Sequence, residues 1–229
     1  MTDFSSLLTT LQIEFTDKEL LQQVFVHRSY LNEHRSFPLG HNERLEFLGD
    51  AVLELTVTEY LYTAFPNPEG ELTNWRSALV KGETLAVIAG SLGFSEYLLL
   101  STGEIKSGGR NKNQLLANAF EALLGALYLD QGYAACQGLV SRLVLTRLPH
   151  ILENRLFIDP KSQLQEVAQE KFGITPTYTL LSEDGPDHSK LFQVAVFVGQ
   201  NQLGSGSGPS KQAGQIAAAA EALKVIAKQ

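Results

Sequence analysis

Apolar residues recur at three- and four-residue spacing through 17–31, 42–64, 71–92 and 112–129 of this 229-residue chain, the period of amphipathic helices. A further helix is expected across 132–149. Pro66, Pro68 and Gly70 mark one break, Ser107-Gly108-Gly109 marks another, and Gly132 closes the 112–129 helix. Nothing in the first 150 residues alternates strongly enough for a sheet, so this part reads as an all-α domain.

The pattern changes after Pro149. Residues 151–158 read as a short linker, although Ile151, Leu152, Leu156 and Phe157 give it apolar anchors. A helix over 161–172 starts after Pro160. Residues 177–182 read as a strand, 183–186 (Glu-Asp-Gly-Pro) as a turn, 191–198 as a second strand and 202–205 as a short third one. Residues 206–210 read as a Gly/Ser loop into an Ala-rich helix over 211–227. The expectation is multidomain: an all-α domain over 1–150, a linker, and an α+β domain of order α-β-β-β-α over 159–229.

Composition narrows the class. The chain is 44% hydrophobic and 19% charged, the balance of a folded globular protein. Apolar runs are interrupted before the ~18 residues of a membrane span, and Met1-Thr2-Asp3-Phe4 lacks the positive start of a signal peptide. Cys136 is the single cysteine, which permits no internal disulfide and fits a reducing compartment. One Cys and five scattered His also leave little for zinc. The expected setting is the cytoplasm, with no membrane and no small-molecule cofactor. The net charge of −7 runs against a phosphate-rich partner. Most of it lies in residues 1–150, with 11 Lys and Arg against 17 Asp and Glu, while residues 151–229 carry 7 against 8.

That acidic excess includes an ordered stripe. Glu43, Glu46 and Asp50 are spaced i, i+3, i+7, which puts them on one helix face, and Glu54 extends it. No Lys or Arg follows any of them at three or four residues, so the like charges repel along the helix. Leu45, Phe47, Leu48, Ala51, Val52, Leu53 and Leu55 are expected to pack the other side. Such a stripe is either a seat for a divalent cation or a solvated face that tolerates repulsion. Asn118 and Glu121 form a second pair, i and i+3, on the 112–129 helix. Two core helices with oxygen donors on facing sides can share a hard cation, Mg²⁺ with Mn²⁺ as a substitute. Phe47, beside the stripe, is core or interface.

The wording of these stretches resembles the ribonuclease III family, divalent-metal endonucleases that cut double-stranded RNA. Asn42-Glu43-Arg44-Leu45-Glu46-Phe47-Leu48-Gly49-Asp50-Ala51-Val52-Leu53 is similar to its signature, His27-Arg28-Ser29-Tyr30 to its HRSY element, and Glu69-Gly70-Glu71-Leu72-Thr73 to its acidic-Gly turn. Residues 103–109 and 116–126 match further blocks in order, and 159–228 resembles a double-stranded-RNA-binding domain. The resemblance implies that Glu46 and Glu121 ligate metal with position 118 as a third ligand. It implies Asp50 and Glu121 as catalytic acids, with Glu43 and Glu69 as flanking acids that line the RNA cleft, Glu43 counted with the catalytic set. Many members carry Asp at position 118. Asn keeps a coordinating oxygen but removes a negative charge, so Mg²⁺ should bind more weakly.

The resemblance further implies a homodimer in which Phe47 plugs a socket on a second copy, and hydrolysis to 5′-phosphate and 3′-hydroxyl ends in rRNA and mRNA processing. In the C-terminal domain Ser162, Gln165, Glu166 and Gln169 share a helix face suited to 2′-hydroxyls across the A-form minor groove. His188 sits in the loop expected to reach a second minor groove. Ser210 and Lys211 open the last helix, where dipole and charge favour phosphate, although Gln212 stands where the family usually has another Lys. Two other readings stay open: a non-cleaving double-stranded-RNA-binding regulator, from Asn118 and the acidic balance, and a protein scaffold that binds no RNA.

Overall fold

The computed structural model describes residues 2–186 and 190–227. The chain forms two compact units, 1–157 and 158–229.

The first unit is helical: α1 (Ser5–Leu11), α2 (Lys18–Val24), α3 (Arg28–Glu33), α4 (Glu43–Ala64), α5 (Glu69–Val80), α6 (Gly82–Ser91), α7 (Phe94–Tyr97), α8 (Thr102–Lys106), α9 (Asn113–Gln131), α10 (Tyr133–Leu143) and α11 (Leu148–Glu153). The helix expected over 17–31 is two. His27 ends the first approach and caps α3 by accepting from Ser29 N through its ring. The helix expected over 71–92 is also two, because Lys81 is extended (ψ 143°) and closes α5 before Gly82 opens α6. Val26 and Leu99 form an isolated parallel bridge.

α9 is apolar around most of its circumference and buries ten residues, including Phe120, Leu123, Leu124 and Leu127, so it is the hub of this unit. α4 packs along it. Asn42 fixes where α4 begins, since its buried side-chain amide donates to Val24 O at 2.9 Å and its N–H to Val26 O at 2.9 Å. The apolar residues of the expected linker are anchored in the first unit. α11 buries Ile151, Leu152 and Phe157 pack on the same core, and the Phe157 ring stands 6.2 Å from that of Trp75.

The second unit has α12 (Pro160–Phe172), β1 (Thr177–Asp184), β2 (Leu191–Val198), β3 (Asn201–Gly208) and α13 (Lys211–Ile226). The sheet is antiparallel in the order β1-β2-β3, and both helices close one face over Leu164, Val196, Ala218, Ala219, Ala222 and Ile226. Two expected boundaries move. Glu183 and Asp184 pair with Phe192 and Leu191 and belong to β1, not to a turn. Residues 206–208 pair with 192–194 and belong to β3, not to a loop. The glycines there serve packing: a Cβ on Gly204 would come within 2.6 Å of Ala218 O, and one on Gly208 within 2.6 Å of Ala213 Cβ.

Candidate active site and RNA surface

α4 carries Glu43, Glu46 and Asp50 along its N-terminal turns, and α9 carries Asn118 and Glu121 where the two helices cross. The structure brings four of these together. Glu121 is half-buried, and burial, then the nearby charges of Asp50 and Glu46, push its carboxyl up to about 7. Burial also raises Glu46, with Glu43 and Asp50 adding to the rise and a hydrogen bond from Asn118 opposing it. These shifts are the electrostatic signature of carboxylates held close in a poorly solvated place.

The stripe is less naked than its own helix suggests. Arg28 Nε lies 3.2 Å from Glu43 Oε1, and His41 Nδ1, buried without a hydrogen-bond partner, lies 3.8 Å from Glu43 Oε2. Arg76 Nε of α5 pairs with Glu54 at 2.9 Å. Repulsion therefore concentrates on Glu46 and Asp50 in the middle, with Glu121 opposite. The HRSY element thus reaches the site through Arg28, while Ser29 Oγ accepts from Ser101 N at 3.0 Å and ties α3 to the start of α8. Sequence spacing missed both arginines, because their carboxylate partners lie 15 and 22 positions away along the chain.

The donors include oxygen from each side chain, as a hard cation such as Mg²⁺ requires, and carboxyls raised by neighbouring charge, as Glu46 and Glu121 are, are the local chemistry that a cation relieves. The residues present fit such an ion in kind. Among the described residues, however, no group of three or more His, Cys, Asp or Glu side chains stands in metal-holding geometry.

Phe47 does not pack in the core: it is 82% exposed, and Leu55 on the same helix is 57% exposed. This corrects the expectation that both pack inward. Between α4 and α5 lies a cavity of about 610 Å³ lined by Leu61, Tyr62, Phe65, Leu72 and Arg76, with Glu69 at the first position of α5 among its walls. Glu69 itself accepts from Thr73 Oγ1 at 3.0 Å.

In the second unit Ser162, Gln165, Glu166 and Gln169 are exposed on α12, opposite buried Leu164 and Ala168. Ser162 N donates to Asp159, which caps α12. Ser210 caps α13 by accepting from Ala213 N at 3.1 Å, and Lys211 is exposed beside it. His188 lies outside the described residues. A cation that sequence reasoning passed over, Lys161, donates to Gln215 Oε1 at 2.8 Å and stands 5.2 Å above the ring of Tyr178.

Comparison with known proteins agrees with this division. Residues 17–148 match the family described as Ribonuclease-III-like, and residues 160–226 match the double-stranded RNA binding motif. Ribonuclease 3 of Enterococcus faecalis (strain ATCC 700802 / V583) is 46% identical over 215 residues, 93% of each chain. Ribonuclease 3 of Streptococcus pneumoniae (strain CGSP14) is 44% identical over 213 residues, 93% of this chain and 91% of that one. The crystal structure of the nuclease domain of ribonuclease III from Campylobacter jejuni superposes with a TM-score of 0.59 at 39% identity, covering 65% of this chain and 98% of that one. A second structure of that domain, at 38% identity, TM-score 0.59 and coverage of 64% and 99%, concerns flexibility in its dimer-forming region. The chain belongs to the ribonuclease III family of double-stranded-RNA endoribonucleases.

Proposed function

We propose that the crossing of α4 and α9 is a Mg²⁺-dependent phosphodiesterase site. The observation that carries this reading is the set Glu46, Asp50, Asn118 and Glu121, in which Glu121 is raised to about 7 by burial and by two neighbouring carboxylates. Glu46 and Glu121 would hold the ion with Asn118, and Mn²⁺ would substitute for Mg²⁺. The ion, when bound, acidifies water and offsets charge developing on phosphate. Asp50 and Glu121 orient the water for in-line attack on phosphorus, and the 3′-oxygen leaves with 5′-phosphate and 3′-hydroxyl products. Glu43, held by Arg28, and Glu69 are the flanking acids of the RNA cleft.

The dimer belongs to the same reading. A single acidic site cuts one strand, so two staggered cuts need two chains, and exposed Phe47 would be the plug for a socket such as the partly apolar cavity between α4 and α5. The C-terminal unit holds A-form RNA through Ser162, Gln165, Glu166 and Gln169, with Lys211 on phosphate. We place the enzyme in the cytoplasm, in the maturation of structured transcripts. The lone Cys136, with its thiol pushed up to about 11 by burial, is inert there.

The test is cleavage of an end-labelled RNA duplex with and without Mg²⁺, beside a Glu121→Gln variant. Cleavage should require Mg²⁺ and vanish in the variant, whose RNA affinity stays within a few-fold of wild type. A variant that cleaves normally removes Glu121 from the chemistry. Mg²⁺-independent cleavage removes the cation.

A further inference from the structure

α4 and α9 meet backbone to backbone at two glycines. A Cβ built on Gly49 would overlap the carbonyl oxygen of Glu121 and stand 2.8 Å from Gly125 N. A Cβ built on Gly125 would overlap the carbonyl oxygen of Leu45 and stand 3.0 Å from Gly49 N. The contact is reciprocal, each glycine facing a carbonyl one turn before the other glycine. It is also confined to the part of each helix that bears the site. Glu46 follows Leu45, Asp50 follows Gly49, Glu121 supplies one of the two carbonyls, and Asn118 lies one turn back along α9.

We infer that this glycine crossing sets the distance between the oxygen donors of the two helices, and that Gly125 is a positioning residue of the catalytic site. The inference rests on the reading of Glu46, Asp50, Asn118 and Glu121 as the cation site. Non-bonded carbon contacts settle at about 3.5–4.0 Å, so a methyl at either position forces the helices apart by on the order of 1 Å. That displacement falls directly on the gap between Glu46 of α4 and Asn118 of α9, whose side chains are close enough for Asn118 to hold the Glu46 carboxyl down. Dense packing alone would not demand this arrangement at the site, since α9 is packed by Ala, Leu and Phe120 along the rest of its buried length.

The experiment compares the full-length wild type with Gly125→Ala, Gly49→Ala and a distant core control, Leu7→Ala, at a temperature where each is folded. Mn²⁺ binding is read by electron paramagnetic resonance, Mg²⁺ binding by competition, and cleavage by kcat and KM on an RNA duplex. Gly125→Ala should weaken Mg²⁺ binding at least fivefold and lower kcat about a hundredfold, as a 1 Å misplacement does, with KM within about twofold of wild type. Leu7→Ala should melt earlier yet keep wild-type Mg²⁺ affinity and kcat. Folded glycine variants with both values within twofold of wild type would overturn the inference. So would the failure of both variants to fold, which would make the pair a requirement of the fold and not a device that spaces the site. A wild type that takes up no Mn²⁺, or a Glu121→Gln variant that takes it up unchanged, would overturn the site reading and this inference with it.

Discussion

Burial and the charges of Asp50 and Glu46 work against ionisation of the Glu121 carboxyl. That carboxyl is raised to about 7 in the folded chain, above the ordinary 4.5. The folded state therefore binds the proton more tightly than the unfolded one, and the stability so gained is full below pH 4.5 and lost as pH rises through about 7. Glu46 is shifted in the same direction. Relative to Glu121→Gln, the metal-free wild type should lose melting temperature between pH 5 and pH 8 in scanning calorimetry, while His27, held low by burial, acts in the opposite direction in both proteins. A wild-type melting temperature that climbs over this window relative to the variant would remove the burial argument. Position 118 tunes the same balance. Asn118→Asp adds a carboxylate to the crossing and removes the amide donor that steadies Glu46. Two effects of opposite sign follow: a lower metal-free melting temperature at pH 8, and a lower Mg²⁺ concentration for half-maximal cleavage. An unchanged Mg²⁺ requirement would show that position 118 contributes no charge to the ion. The donors themselves were legible because i, i+3 and i+7 spacing fixes a helix face whatever the tertiary fold. Arg28 and Arg76 were not, because pairing between helices far apart in sequence leaves no periodic trace.

At the scale of elements, the legible features were those whose pattern has one physical cause. α4 and α9 follow from amphipathic period, and α12 follows from Pro160 after the Asp159 cap. β3 was expected over 202–205 but runs on to Gly208, because Gly and Ser alternate there and Gly in a strand pattern weakens the signal it should carry. The alternation is a strand whose glycine face lies against the Ala-rich α13 and whose serine face points away. α13 begins where β3 delivers it, so Ser210 and Lys211 sit at a helix N-terminus with exposed Gln212 next. One cation at that terminus gives little counterion release, and RNA affinity should be low with a shallow salt dependence. Gln212→Lys should tighten binding to any RNA duplex by a similar factor and steepen the slope of log K against log salt by up to about one unit. Titration of the full chain in the Glu121→Gln background at several salt concentrations reads both. A variant with no change in slope would mean that this terminus does not meet phosphate.

The whole molecule has two cores joined near Phe157 and Ile158, and a highly exposed aromatic of the first, Phe47, lies on α4 beside the acidic stripe. Phe47 makes no core contact, so its truncation should leave the stability of an isolated chain within about 0.5 kcal/mol, as surface changes do. In a two-fold dimer the residue enters the interface twice. An aromatic anchor in a pocket is worth about 2 kcal/mol or more, so losing both copies should cost about 4 kcal/mol, roughly a thousandfold in dissociation constant. Light scattering should report roughly twice the 25.1 kDa chain mass for wild type. Phe47→Ala should move toward the single-chain mass at the same concentration, with its circular dichroism unchanged. The duplex assay should follow suit: where the variant is monomeric, paired cuts should disappear, because one chain brings one set of Glu46, Asp50 and Glu121. Recovery of dimer mass and of paired cuts at high protein concentration would tie the two observations to one equilibrium. A Phe47→Ala chain that stays dimeric at wild-type dilution, or a wild-type monomer that still cuts both strands, would rule out Phe47 as the anchor in the first case and pairing as a requirement in the second.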